Sequence, residues 1–149
     1  MRVLRLGLPS GGVERVARVT RRATCQCGQL AIECEGDPVR ISVCHCLDCQ
    51  RRSGSSFAAQ ARFLIERVTI TGEARHWTRF GDEGGQGDMY FCPTCGSNVF
   101  YKLPAQPDLV AVAVGAFADP TFPQPDYSVY EGRKHAWVEI VGEGIDRYD

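Results

Sequence analysis

From Leu30 onward the chain alternates apolar and polar positions in short runs closed by turn residues. Leu30–Cys34 and Val39–His45 alternate on either side of Gly36-Asp37-Pro38. A period of two with β-branched residues predicts half-buried strands. Phe57–Ile65, Val68–Thr71 and Ala74–Phe80 read the same way, and Met89–Phe91 and Asn98–Lys102 are strand-like runs flanking Cys92 and Cys95. Leu109–Phe117, reading LVAVAVGAF, is almost continuously apolar and is the strongest candidate for a buried strand. Ala136–Val141, carrying Trp137, is expected to be the last strand. Leu47–Arg52 fits one or two helical turns stopped by Gly54. Gly81–Gly87 (GDEGGQG) is a loop, and Pro120, Pro123 and Pro125 interrupt any regular element following Leu109–Phe117. No repeat or second domain is visible. Many short strands and little helix predict a single, mainly β domain.

Composition narrows the picture. The chain has 149 residues, of which 44% are hydrophobic, enough for one domain with a real core. No run of about 18 apolar residues is present, so no membrane span is expected. The net charge of −1 conceals an asymmetry. Residues 1–22 hold six arginines and one glutamate, which leaves 17 − 6 = 11 basic against 18 − 1 = 17 acidic side chains in 23–149. The expected organisation is therefore a basic N-terminal arm (1–22), without the apolar centre of a secretory signal, and an acidic body (23–149). An acidic body argues against nucleic acid as a partner. The eight cysteines fall well short of the roughly 8–10% typical of disulfide scaffolds. With no signal sequence, this points to a reducing cytoplasm and to metal chemistry.

Seven of the eight cysteines are clustered. Cys25-Gln26-Cys27-Gly28 and Cys92-Pro93-Thr94-Cys95-Gly96 are each a tight thiol pair followed by glycine. Glycine permits the backbone to turn its N–H groups toward the sulfurs. Two such knuckles supply four thiolates, the set preferred by a closed, structural zinc. A redox CxxC pair at Cys92 and Cys95 would explain neither the CxC partner nor the glycines.

The middle cluster, Cys44-His45-Cys46-Leu47-Asp48-Cys49, lies where a strand meets a short helix. Cys44 and Cys46 share one face of an extended chain, and Cys49 swings back if a helical turn begins there. Three protein ligands with an open fourth position match a catalytic zinc site. Closure by Cys34, His45 or Asp48 is the alternative. His45 lies between two strand cysteines and should face the other way. Asp48 is placed to cap the helix. Cys34 reads as a small buried hydrophobe.

Taken together, CQCG, CHCLDC and CPTCG, with Arg52–Phe57 (RSGSSF), Phe91-Cys92 and Trp137–Ile140, resemble the glutathione-dependent formaldehyde-activating (GFA) enzymes, a family that includes centromere protein V-like proteins. The likeness runs from about Thr24 to about Gly142. Many relatives carry a basic residue directly after the third cysteine of the middle motif, where this chain has Gln50 followed by Arg51. The resemblance implies an Mss4-like zinc-bound β fold and two zinc ions per chain. One is structural, on Cys25, Cys27, Cys92 and Cys95; the other is catalytic, on Cys44, Cys46 and Cys49. It also implies a carbon–sulfur lyase or synthase that joins glutathione, or a similar thiol, to a small aldehyde such as formaldehyde.

Three thiolates leave Zn²⁺ with a formal −1 charge. That weakens it as a Lewis acid and favours capture of the thiol over activation of the aldehyde. Glutathione carries two carboxylates, so Arg51 and Arg52 are the first candidates to bind it, then Arg133 and Lys134. Gly54, Ser55 and Phe57 are candidates to line the pocket. His45 is the nearest proton shuttle, while His76 and His135 have no motif context. Gly81–Gly87 lacks the ending of a phosphate loop and carries Asp82 and Glu83. The competing expectation is a non-enzymatic zinc module: a glutathione carrier, a thiol or zinc sensor, or a partner-binding domain that uses the basic arm.

Overall fold

The computed structural model describes residues 18–81 and 84–149. Among them the strands are β1 (Thr20–Thr24), β2 (Ala31–Glu35), β3 (Arg40–Cys44), β4 (Ala58–Leu64), β5 (Val68–Thr71), β6 (Arg75–Phe80), β7 (Gln86–Phe91), β8 (Asn98–Lys102), β9 (Leu109–Ala113), β10 (Tyr127–Val129) and β11 (Asp146–Tyr148). The α-helix is α1 (Leu47–Ser53), and short 3₁₀ turns cover Ile65–Arg67, Val114–Phe117 and Glu131–Arg133. The fold is mainly β and forms one small domain, as the strand spacing predicts.

A three-stranded sheet, β1-β2-β5, faces an eight-stranded sheet of order β11-β10-β3-β4-β9-β8-β7-β6. The pairings are antiparallel except that β10 runs parallel to both β3 and β11. The Gly36-Asp37-Pro38 turn does not close a hairpin, because it carries the chain from the small sheet into the large one. Each cysteine knuckle does close a hairpin: residues 25–30 join β1 to β2, and residues 92–97 join β7 to β8. The first and third motifs are therefore loops at the ends of strand pairs.

The alternation in β4 sorts the two faces. Ala61 and Phe63 point inward and pack with Ile41, Val110, Val112 and Phe117, and with Ala23, Leu30, Ile32 and Cys34 of the small sheet. Burial of each large side chain here contributes about 1.5–3 kcal/mol. Cys34 is fully buried among these groups, as a small hydrophobe, and burial pushes its thiol up to about 12. The opposite face of the large sheet pairs Cys44 with Ala58, Ser42 with Gln60, and Gln60 with Ala113. Directly paired residues share a face, so this one carries the middle cysteine motif.

Three expected boundaries move. Thr20, Arg21 and Arg22, which the charge pattern groups with the basic arm, belong to β1. There Arg21 donates to the Gly36 carbonyl at 2.7 Å and Arg22 pairs with Glu33 at 2.9 Å. Residues 1–17 of the arm lie outside the described residues, as do Asp82 and Glu83 of the GDEGGQG loop, whose Gln86 and Gly87 begin β7. The LVAVAVGAF run is a strand only to Ala113, after which the chain turns at Val114–Phe117 and Ala118 takes a left-handed conformation (φ 48°).

The expected strand Ala136–Val141 is absent. A turn from His135 to Val138 replaces it, and Trp137 is 76% exposed, its ring set nearly perpendicular to that of His135 at 5.5 Å. The sheet edge beyond β10 is taken instead by Asp146–Tyr148, which left the apolar pattern of 136–141 without a strand to pair with.

Candidate functional site

Two groups of thiols come together among the described residues: Cys25, Cys27, Cys92 and Cys95, and separately Cys44, Cys46 and Cys49. Within each group the sulfurs lie within 4.8 Å of one another, and all eight cysteines are free thiols.

The first group is built from two matching loops. Gly28 N–H donates to the Cys25 carbonyl at 3.1 Å, and Gly96 N–H donates to the Cys92 carbonyl at 2.8 Å. Both glycines sit at positive φ (85° and 76°), where a side chain would be strained. The turns aim N–H groups at sulfur: Leu30 at Cys25 (3.3 Å) and Cys95 at Cys92 (3.5 Å). Gln29 adds a side-chain donor to Cys92 at 2.9 Å, and Gln26 N–H reaches across to Ser97 at 3.1 Å. The Ser97 hydroxyl, 3.3 Å from the Cys95 sulfur, is the leading cause that lowers the Cys95 thiol to about 5. Neighbouring sulfurs are 3.5 Å (Cys25–Cys27) and 3.7 Å (Cys27–Cys92) apart. Tetrahedral zinc with bonds of about 2.3 Å needs sulfur–sulfur edges of about 3.8 Å. The donor set therefore fits a four-thiolate zinc.

The second group sits on one continuous stretch. Cys44 ends β3. Cys46 is the N-cap of α1, with extended backbone, and its sulfur accepts the Cys49 N–H at 3.3 Å. The extended step brings Cys44 and Cys46 to one side, and the first helical turn returns Cys49 to them. The hydrogen bond between Cys44 and Cys49 separates the two thiols. It is the largest cause raising Cys44 and the largest lowering Cys49, which sits at about 5. Burial opposes ionisation of Cys49, while Cys46 and the Arg52 guanidinium favour it. A thiolate held among two further sulfurs suits a divalent soft-tolerant cation such as zinc.

None of the candidate fourth donors joins the three sulfurs within 4.8 Å. Cys34 lies in the core between the sheets. His45 is fully buried, with Nε2 at 3.0 Å from the Ser128 hydroxyl and Nδ1 without a hydrogen-bond partner among the described residues, and burial holds the imidazole below its ordinary value. Ser128 in turn donates to Glu131, which pairs with Lys134 at 3.0 Å and Arg147 at 3.1 Å. The cap expected of Asp48 is made by Cys46. Asp48 instead takes two hydrogen bonds from Arg79 of β6, at 3.2 and 2.8 Å.

The expected substrate residues divide. A cavity of about 630 Å³ opens beside α1, and Arg52 and Phe57 line it. Arg51, Gly54 and Ser55 do not line it. Arg51 is exposed and 3.8 Å from Asp48, Gly54 is the left-handed C-cap of α1, and Ser55 donates its N–H to Ser53. Lys134 is taken up by Glu131, and the Arg133 carbonyl accepts from Gln50 at 3.2 Å. Gln50, the residue at the position that is often basic, also donates to the His45 carbonyl at 2.8 Å and meets His135 Nε2 at 2.9 Å. It thereby clamps α1 to the 131–135 segment.

Sequence reasoning passed over Asn98, Gln60 and Tyr101 of the cavity wall. Asn98 donates to the Arg52 carbonyl at 2.7 Å, and Tyr101 lies beneath the Arg52 guanidinium at 5.2 Å. Their only signal was a polar or phenolic side chain within a strand-like run.

A family model described as "glutathione-dependent formaldehyde-activating enzyme" matches residues 20–133. A Rhodobacter sphaeroides protein of known crystal structure aligns with a TM-score of 0.51 at 22% identity, over 68% of this chain and 90% of that one. At that identity the likeness concerns the fold alone. No curated protein sequence matches the chain. The cysteine-stapled pair of sheets is the Mss4-like arrangement that the motifs imply. Since the matched stretch spans β1 to the turn after β10 and takes in all three cysteine motifs, the chain belongs to the glutathione-dependent formaldehyde-activating enzyme family.

Proposed function

We propose that the protein is a zinc-dependent carbon–sulfur lyase or synthase that joins a glutathione-like thiol to a small aldehyde such as formaldehyde. One observation carries the proposal: Cys44, Cys46 and Cys49 converge while no ligand atom of Cys34, His45 or Asp48 joins them within 4.8 Å. Cys25, Cys27, Cys92 and Cys95 would hold a closed structural zinc. Cys44, Cys46 and Cys49 would hold a second zinc, which supplies an open coordination position where a thiol is kept as thiolate.

The remaining chemistry belongs to the chain's own residues. In the addition, the thiol sulfur forms a bond to the carbonyl carbon, the carbon–oxygen π bond opens, and the thiol proton ends on the new hydroxyl. Holding both reactants side by side accounts for much of such an acceleration without a dedicated acid or base. His45, buried against Ser128, is not placed to shuttle the proton. Arg52 would take a carboxylate of the thiol substrate and Phe57 would wall the cavity. Gly54 would shape the end of α1, with Arg51 and Ser55 at the outer rim. Among the described residues no helix is long and apolar enough to cross a membrane, and free thiols accord with a reducing, cytoplasmic setting.

The test combines metal counting with turnover. The purified chain should hold two zinc ions, one of them removed much faster by a chelator. Cys46→Ser should lose the labile ion and bring thiol-dependent aldehyde consumption down to the uncatalysed rate, while the fold and the other ion persist. Undiminished turnover in Cys46→Ser would sink the assignment of the reaction to the three-thiol site, and no turnover in the wild type would sink the enzyme reading. Thiol binding without turnover in the wild type would make the chain a carrier.

A further inference from the structure

The face of the large sheet turned away from the core carries two arginines side by side. Arg40 of β3 and Arg62 of β4 are direct partners in the antiparallel ladder, which sets their Cβ atoms about 5 Å apart on one face. Like charges placed directly opposite repel each other. Both residues are half-buried, and Nε of each is buried without a hydrogen-bond partner among the described residues. Each guanidinium has therefore given up part of its hydration, which is costly unless a counter-charge replaces it.

The protein supplies that counter-charge to other half-buried cations, pairing Arg79 with Asp48 at 2.8 Å and Lys134 with Glu131 at 3.0 Å. Neither Arg40 nor Arg62 has an ion-pair partner among the described residues. Asp126, on the approach to β10, turns its carboxylate to the Ile41 N–H at 2.9 Å instead. Neighbours nevertheless hold both side chains. The Arg40 guanidinium lies over the Tyr127 ring at 4.2 Å, and Arg62 donates to Gln106 Oε1 at 3.2 Å. The terminal N–H groups not used by Gln106 remain for an oxyanion.

Two adjacent cations call for two negative charges on one compact group. A carboxylate brings one. A phosphate monoester brings about 1.5 to 2 with several acceptor oxygens, and the planar guanidinium fork matches it. We propose that Arg40 and Arg62 form a binding site for a phosphate group, free or carried on a small molecule. The site lies apart from the three-thiol group, since Cys44 ends the same strand about 13 Å further along. It stands whether or not the protein joins thiols to aldehydes.

The test titrates the full chain, with its bound zinc, by calorimetry with methyl phosphate, inorganic phosphate and acetate at fixed ionic strength. At least one of the two phosphates should bind about tenfold or more tightly than acetate. Arg40→Gln and Arg62→Gln should each weaken phosphate binding about tenfold or more. Arg62→Lys, which keeps the charge without the fork, should lose less and retain the preference over acetate, and it guards against a folding defect. Arg75→Gln removes an exposed cation of β6 and should leave the affinity unchanged. Tighter binding of one phosphate than the other would support the site and show whether it serves the free or the esterified group.

Equal affinity for acetate and both phosphates would overturn the proposal, as would the absence of binding by either phosphate. So would binding that survives Arg40→Gln and Arg62→Gln together, or an equal loss in Arg75→Gln, which would reduce the effect to net charge.

Discussion

The two thiol groups use the same element in opposite ways. The four-thiol group gathers its sulfurs from two hairpin loops far apart in sequence, each with a positive-φ glycine, and ties β1-β2 of the small sheet to β7-β8 of the large one. The three-thiol group takes its sulfurs from one strand–helix junction and ties nothing distant together. Around the first, donors such as Gln29 and Ser97 satisfy the sulfurs. Around the second, Asp48 is held by Arg79 and Nε2 of His45 by Ser128. A metal that bridges sheets takes part in folding, whereas a metal on one local turn is free to take part in chemistry.

The largest expected effect separates the groups by stability. Cys92→Ser should abolish cooperative unfolding, because binding of a structural zinc is itself folding free energy, about 10–16 kcal/mol in small zinc peptides. Cys49→Ser should leave a cooperative thermal transition near that of the wild type. If the two variants melted alike, the division into staple and reactive site would fail.

Gly72→Ala probes the staple indirectly. Gly72 sits at φ 92°, and an added Cβ would lie 1.8 Å from the carbonyl oxygen of Gln29, the residue that donates to Cys92. The left-handed conformation and the backbone clash together should cost at least about 2 kcal/mol in chemical denaturation. Release of the slower-leaving zinc should speed up in parallel.

Arg79→Ala addresses the reactive group. Its partly exposed pair with Asp48 contributes only about 0.5–1 kcal/mol, so stability should change little. The freed Asp48 carboxylate becomes a competitor for the fourth position. Turnover should fall and the labile zinc should be retained longer, and the double variant Arg79→Ala/Asp48→Asn should restore rapid exchange. Unchanged zinc release in Arg79→Ala would mean that Asp48 is too far away to compete.

The smallest effect is a pH dependence behind the reactive group. The hydrogen bond from Ser128, helped by Lys134 and Arg147 against the cost of burial, lowers the Glu131 carboxyl from its ordinary 4.5 to about 2. A carboxyl lowered on folding contributes stability above its ordinary value, and that contribution is lost as the pH falls toward about 2. Wild type and Glu131→Gln, unfolded in denaturant at a series of pH values, should differ most above pH 4.5 and converge toward pH 2. A constant gap would dissociate Glu131 from the acid limb.

Much of the fold was legible because local rules and tertiary structure agreed. The alternation of Ala61 and Phe63 in β4 and of Val110 and Val112 in β9 matches the core, and Gly54 ends α1 as its C-cap. Legibility failed where pairing partners decided. Ala136–Val141 has strand-like alternation, yet Asp146–Tyr148 occupies the edge, a three-residue strand with no apolar pattern to announce it. The cavity wall was hidden for a similar reason: Gln60, Asn98 and Tyr101 come from separate strands, and no local spacing relates them to Arg52.

The order and spacing of cysteine and glycine by themselves determined that there are two thiol groups and which residues form each, and the alternation of apolar and polar positions determined that the domain is mainly β. They could do so because a knuckle is a local object, set by backbone turns a few residues long. The tertiary structure alone decided what surrounds those groups. Burial of His45 against Ser128, the grip of Arg79 on Asp48 and the seating of Arg52 between Asn98 and Tyr101 each join residues distant in sequence. Such contacts depend on strand order and register, which hydrophobic periodicity does not encode.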